Sequence, residues 1–177
     1  GDKYNLPWQV SSTEWIQFEG QKFSKSRRIG VWIDEAIELA GAEYWRYALI
    51  SLRPELKDAN FTWEEFERKI NTELNDVLGN FVHRTISFLQ TRFRGRVPNY
   101  SAREGSDGDT LEVLGQAPKK IEEKLKRFRL KEALEQIIEL AREGNRYLND
   151  KEPWKTLGIE IYAIFKDIKT IFDPKNI

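Results

Sequence analysis

The strongest periodicity lies between Thr62 and Phe93. Ile70, Leu74, Leu78, Val82, Ile86, Leu89 and Phe93 recur at spacings of four and three. That spacing predicts one long amphipathic helix with this row on the core. Thr62-Trp-Glu-Glu65 has the form of a capping box, in which the hydroxyl and the carboxylate satisfy two orphan donors at a helix start. Upstream, the stretch to about Val31 is β-like: Glu14-Trp-Ile-Gln-Phe18 mixes polar and apolar residues, and Glu19-Gly20 offers a turn. Asp34 can cap a short helix from Glu35 to about Ala40. A further helix fits Glu43 to Arg53, and Pro54 stops it. Residues 95–118 hold glycines, two prolines and little periodicity, which predicts a loop. Helical patterning returns from Lys119 to about Tyr147 through Ile121, Leu125, Phe128, Leu134, Ile137, Ile138 and Ala141. It slips phase near Arg129-Leu130, so two helices or a kink are expected. A last segment starts at Glu152-Pro-Trp-Lys155 and is helical from about Ile159 to Phe172. The prediction is a mainly α fold: an antiparallel helical bundle over 58–177, preceded by a short β-containing N-terminal segment over 1–57.

Composition narrows the chemistry. The 177 residues are 40% apolar, with 6 Trp, 6 Tyr and 10 Phe, enough for a sizeable core. Lys plus Arg and Asp plus Glu are each 29, so any nucleic-acid site must be a local patch rather than a property of the whole surface. There is no cysteine, which excludes disulfides and thiol chemistry. The single histidine, His83, makes a zinc site of the usual nitrogen–sulfur kind unexpected, and no metal ligands are assigned. No apolar run approaches the roughly 20 residues that span a bilayer, and no secretory signal opens the chain, so a soluble cytoplasmic protein is expected. The chain begins at Gly1 and lacks methionine, features expected of a fragment or a redesigned sequence.

Three features could carry function. On the long helix Glu73, Asp76, Asn80, Arg84, Ser87 and Thr91 cluster opposite the apolar row. Asn80 and Arg84, four apart, are neighbours there. An amide with donor and acceptor and a guanidinium fork suit base edges, although every amphipathic helix has a polar side. Pro153-Trp154 could present an indole near a helix start, able to stack on an unpaired base, or could cap the bundle core. Lys22-Phe-Ser-Lys-Ser26 with Arg27 and Arg28 places four cations within seven residues, with small hydroxyls between them. That suits a polyphosphate, or is a solvated basic loop.

Together these segments resemble the methionyl-tRNA synthetases, in particular the archaeal and eukaryotic type. Lys22-Phe-Ser-Lys-Ser26 is similar to the lysine-rich signature loop of class I synthetases, with Phe23 where Met is usual. Ile29-Gly-Val-Trp-Ile-Asp-Glu35, Tyr44-Trp-Arg-Tyr47, Arg53-Pro-Glu-Leu-Lys-Asp-Ala-Asn-Phe-Thr-Trp63, Leu78-Gly-Asn-Phe-Val-His-Arg84, Gly144-Asn-Arg-Tyr147 and Glu152-Pro-Trp-Lys155 continue the likeness. The resemblance implies that 1–57 is the signature-loop and connecting segment at the end of the catalytic region, and 58–177 a helical anticodon-binding domain. It implies that Asn80, Arg84 and Trp154 recognise the CAU anticodon of methionine tRNA. It implies that Lys22 and Lys25 are catalytic residues acting on ATP phosphates, with Ser24 and Ser26 shaping the loop. ATP and Mg2+ would serve the full-length ligase, with no cofactor bound by this chain alone. The nucleotide-binding fold, its His-Ile-Gly-His-type motif and any zinc knuckle are not in the sequence, so activity is not expected without a complementing catalytic domain. The expected partner is methionine tRNA, with no DNA and no membrane. The alternative is a fragment or redesigned bundle of the same family without independent activity.

Overall fold

The computed structural model describes residues 4–97 and 107–152. Its elements run β1 (Ile16–Phe18), α1 (Ile33–Leu39), α2 (Ala42–Ser51), β2 (Ala59–Phe61), α3 (Trp63–Arg68), a π-helical segment (Lys69–Gly79), α4 (Asn80–Phe93), α5 (Asp107–Lys126) and α6 (Leu130–Lys151). The predicted helix from 159 to 172 and Trp154 lie outside the described residues. No helix among the described residues is long and apolar enough to cross a membrane.

The β-content of the N-terminal segment is one short strand, β1. It pairs in parallel with β2, Ile16 opposite Ala59 and Phe18 opposite Phe61. The pairing brings aromatic rings onto one face. Phe18 stacks on Phe61 at 5.7 Å, and Trp45 packs on Phe61 at 5.9 Å and on Phe66 at 4.5 Å. Such ring contacts add directional attraction to the area they bury. Trp45 Nε1 also donates to the Ala36 carbonyl at 2.6 Å, tying α2 to α1.

Helix α1 starts earlier than predicted. Trp32 is its N-cap without a side-chain bond, and Asp34 falls in the first turn. The α3 cap is half a capping box: the Glu65 N–H donates to Thr62 Oγ1 at 3.1 Å. The Glu65 carboxylate does not reach back, because Arg68 takes both its oxygens, at 2.6 and 2.7 Å.

The long helix is continuous from Trp63 to Phe93, but its winding changes. Across Lys69–Gly79 it is π-wound, and the Asn80 N–H donates to the Asn75 carbonyl five residues back. This winding crowds position 79: a Cβ there would sit 3.2 Å from the Leu74 carbonyl oxygen, so glycine fits. The core row also differs from the expected one. Ile70 is buried and Leu78 and Leu89 pack on the core as expected, but Phe81 and Thr85 are buried in the middle of the helix, whereas Val82 is 38% and Ile86 51% exposed. Phe81 with Thr85 and Val82 with Ile86 have the same spacing of four, so spacing alone cannot choose between them. Phe81 decides, because its ring enters the gap at Gly144, where an added Cβ would lie 2.4 Å from it.

The predicted loop is helical from Asp107 onward. Asp107, Thr110, Leu114 and Ala117 are buried at spacings of three and four, despite Gly108, Gly115 and Pro118. Tertiary packing overrides poor local propensity here. Leu114, Ala117, Leu140 and Tyr147 form one core cluster, and Phe81, Ala141 and Leu148 form another. Helices α5 and α6 are antiparallel. At one end Asp107, 2% exposed, takes Tyr147 Oη at 3.2 Å and Lys151 Nζ at 2.9 Å. At the other Lys124 meets Glu132 at 2.8 Å. The expected phase slip near Arg129-Leu130 is the break between them.

The N-terminal segment packs on this helical unit. Tyr47 Oη donates to Glu73 Oε2 at 2.8 Å, and Glu55 Oε1 accepts the Lys131 N–H at 2.8 Å. Lys69 Nζ bonds the other Glu73 oxygen at 2.7 Å. Burial, then the bond to Glu73, pushes the Tyr47 hydroxyl well above its ordinary pKa of 10.0. For Glu73, burial works to raise the pKa, but the bonds from Lys69 and Tyr47 outweigh it and the net shift is downward.

Candidate functional site

Two groups of candidate residues stand on different elements. The first is the basic stretch after β1. Glu19 and Gly20 both have positive φ, 48° and 72°, and Phe18 and Gln21 exchange two backbone bonds across them. This is the two-residue turn whose twist suits a hairpin. Ser24 and Ile29 then exchange bonds of 3.0 and 2.9 Å, so Lys25–Arg28 form a closed loop. Within it Ser24 Oγ and Ser26 Oγ are 3.3 Å apart, and the Arg27 N–H donates to Ser24 Oγ at 3.4 Å. Phe23 anchors the hairpin, with its ring 5.6 Å from that of Phe18. Gly30 makes room for it: at φ 138° a Cβ would lie 2.7 Å from Phe23 Cδ1.

Lys22 and Lys25 are both exposed and line different clefts. Lys22 lines a cleft with Trp15 and Ile16, Lys25 another with Gly30 and Trp32, and Phe23 borders both. Lys22 Nζ sits 5.5 Å from the centroid of the Trp15 ring.

The second group lies where α4 meets α6. Asn80 is exposed at the first position of α4, and its side chain makes no hydrogen bond among the described residues. Arg84, one turn later, is half-buried instead of facing solvent. Its guanidinium donates to Asn145 Oδ1 at 3.3 Å and to Asn149 Oδ1 at 2.7 Å. Asn145 in turn donates through Nδ2 to the Val77 carbonyl at 2.9 Å and the Ala141 carbonyl at 3.1 Å. It thus clamps α6 to the π segment while orienting Arg84. Sequence reasoning assigned no site role to Asn145 or Asn149. The available signal was their i, i+4 spacing on α6. Trp154, five positions beyond Asn149, lies outside the described residues. Among the described residues, no group of three or more His, Cys, Asp or Glu could hold a metal ion.

A third surface is apolar. Phe18, Phe23, Val31, Ile33, Ile37 and Leu49 line a cleft of about 470 Å³ between β1, α1 and α2. Ile33, Ile37 and Leu49 on its rim are exposed.

A family model described as class I tRNA synthetases (M) matches residues 1–86, which include the basic hairpin and reach into α4. The methionine–tRNA ligase of Aeropyrum pernix is 53% identical over 157 residues, covering 89% of this chain and 27% of the relative. That of Korarchaeum cryptofilum is 49% identical over 155 residues, covering 88% and 28%. A solved Mycobacterium tuberculosis methionyl-tRNA synthetase in complex with methionyl-adenylate superposes with a TM-score of 0.76 at 26% identity, over 85% of this chain and 30% of that one. The chain belongs to the methionyl-tRNA synthetase family and spans little more than a quarter of the length of these curated relatives.

Proposed function

We propose that the chain is the part of a methionine–tRNA ligase that joins an ATP-serving signature hairpin to a helical anticodon-binding domain. The observation that carries the reading is the α4–α6 seam. A guanidinium is fixed by two asparagines, and an exposed, unspent amide lies one turn away. The two asparagine bonds hold the Arg84 guanidinium in place, and Asn80 beside it can both donate and accept. Unstacked bases of an anticodon loop offer edges of this kind. Trp154 is the stacking partner that the family resemblance adds, for the first anticodon base. Affinity for RNA should be modest and salt-sensitive, because the net charge is zero and the basic surface is local.

The test is a titration at low salt of a stem-loop carrying the CAU anticodon against one with a single loop base changed. Tighter binding of CAU supports the reading, and equal binding or none removes it.

Ligase activity as a whole requires more than this chain. The apolar cleft at β1, α1 and α2 favours a second component: it lies wholly within residues 1–86, which match the class I synthetase model, and the relatives are more than three times as long. The occupant would be the nucleotide-binding part of the same ligase, with ATP and Mg2+ held there. Lys22 and Lys25 would then meet the ATP phosphates, and Ser24 and Ser26 would shape the loop that carries them. Mixing the two parts and measuring methionine-dependent ATP–pyrophosphate exchange tests this. Exchange absent from both parts alone and present in the mixture is the expected result.

A further inference from the structure

We propose that Trp15 is a positioning residue that parks Lys22 on its indole face, away from Lys25, until a polyphosphate draws the ammonium off. The proposal rests on the reading of the hairpin as a phosphate-serving loop. The two lysines line different clefts, with Phe23 bordering both, so Lys22 on the Trp15 face and Lys25 address different surfaces of the hairpin. Phe23 is seated against the Phe18 ring and over Gly30, and two backbone bonds close the loop beyond it. The part free to move is the four-carbon stem of Lys22.

The parking place is anchored at its backbone and open at its ring. The Trp15 N–H donates to Asp58 Oδ1 at 3.0 Å, and its carbonyl accepts the Ala59 N–H at 2.9 Å. Its backbone N–H and carbonyl are therefore both held, by Asp58 and by the first residue of β2. Yet the residue is 70% exposed, so the indole face is not consumed by the core. An ammonium 5.5 Å from the centroid is within the range of a cation–π contact. The Lys25 side chain, in contrast, makes no hydrogen bond, ion pair or ring contact among the described residues. One lysine of the pair is thus free to meet a phosphate first, while the other is withheld by a contact weak enough to be outcompeted.

The experiment uses the full chain and inorganic tripolyphosphate at low salt. By NMR, the Lys22 ε-methylene protons should be ring-current shifted in the wild type, and should move to ordinary positions in Trp15→Ala and on adding tripolyphosphate. An exposed cation–π contact limits Lys22 availability by about two- to fivefold, so Trp15→Ala should bind tripolyphosphate tighter by that factor. Trp15→Phe keeps an aromatic face and should stay near the wild type, which controls for misfolding of the alanine variant. Lys22→Ala should bind more weakly and be indifferent to a second change at Trp15. An unshifted Lys22 in the wild type, or equal or weaker binding by Trp15→Ala, overturns the proposal while leaving the phosphate-serving reading intact. Binding by none of the variants overturns both.

Discussion

Gly144→Ala tests the packing that sets the candidate interface. In a helix interior, alanine is ordinarily worth about 1 kcal/mol over glycine, so the naive expectation is stabilisation. At this position the new Cβ would lie 2.4, 2.5 and 3.0 Å from three atoms of the Phe81 ring. Carbon pairs prefer roughly 3.5–4.0 Å, so ring or helix must retreat by about 1 Å. Phe81 is 2% exposed and enclosed by Ala141 and Leu148, so there is no open space to retreat into. Overpacking of this kind costs about 1–3 kcal/mol. Net of the propensity gain, the variant should be destabilised by about 0–2 kcal/mol, a fall in Tm of up to about 8 °C for a chain of this size. Thermal and urea unfolding followed by circular dichroism measure it. Phe81→Leu in the same chain should relieve the clash, so the double variant should lose less than the two singles added together. A Gly144→Ala protein that melts higher than the wild type would refute the close approach of α4 to α6, and with it the geometry that orients Arg84.

Asn145→Ala should cost about 0.5–1.5 kcal/mol through the lost bond between α6 and the Val77 carbonyl, and should weaken binding of the CAU stem-loop more than an exposed substitution such as Glu139→Ala. Thr62→Ala should lower stability by about 1 kcal/mol through the lost N-cap bond, read by urea denaturation. The raised Tyr47 pKa implies that folded protein holds the phenol proton more tightly than unfolded protein does. That stability is fully present below the unfolded value near 10.0 and is lost as pH rises beyond it. Alkaline titration of Tm should show this loss in the wild type, and Tyr47→Phe should reduce it. For Glu73 the sign is opposite. Its depressed pKa contributes stability above the ordinary carboxylate value that is lost on acidification, and Glu73→Gln should flatten the acid limb.

Local signals were legible in the sequence and long-range ones were not. The Thr62 cap, the stop before Pro54 and the break near Arg129 are set by neighbours within a turn or two, and each appears in the fold. Strand β2 escaped because three residues show little alternation, and their partner β1 lies 43 positions away. The first half of α5 escaped because its buried face opens with Asp107 and Thr110, polar residues that are tolerated only because Tyr147 and Lys151 meet Asp107. At the candidate site Asn80 and Arg84 were legible as neighbours. That Arg84 turns to α6 depends on Asn145 and Asn149, 61 and 65 positions on, which no local pattern announces. The hairpin's charges were equally plain, whereas the separation of Lys22 from Lys25 follows from how Phe23 is seated.

The account stands most directly on whether Asn80 reads a base beside the anchored Arg84. Dissociation constants of wild type and Asn80→Ala for the CAU stem-loop, and for one with a changed loop base, measure this at matched low salt. A base contact worth about 1.4 kcal/mol predicts a tenfold weaker Kd for the variant with CAU, and little difference between the two proteins with the altered loop. Equal affinity of both proteins for CAU would contradict base reading at this seam.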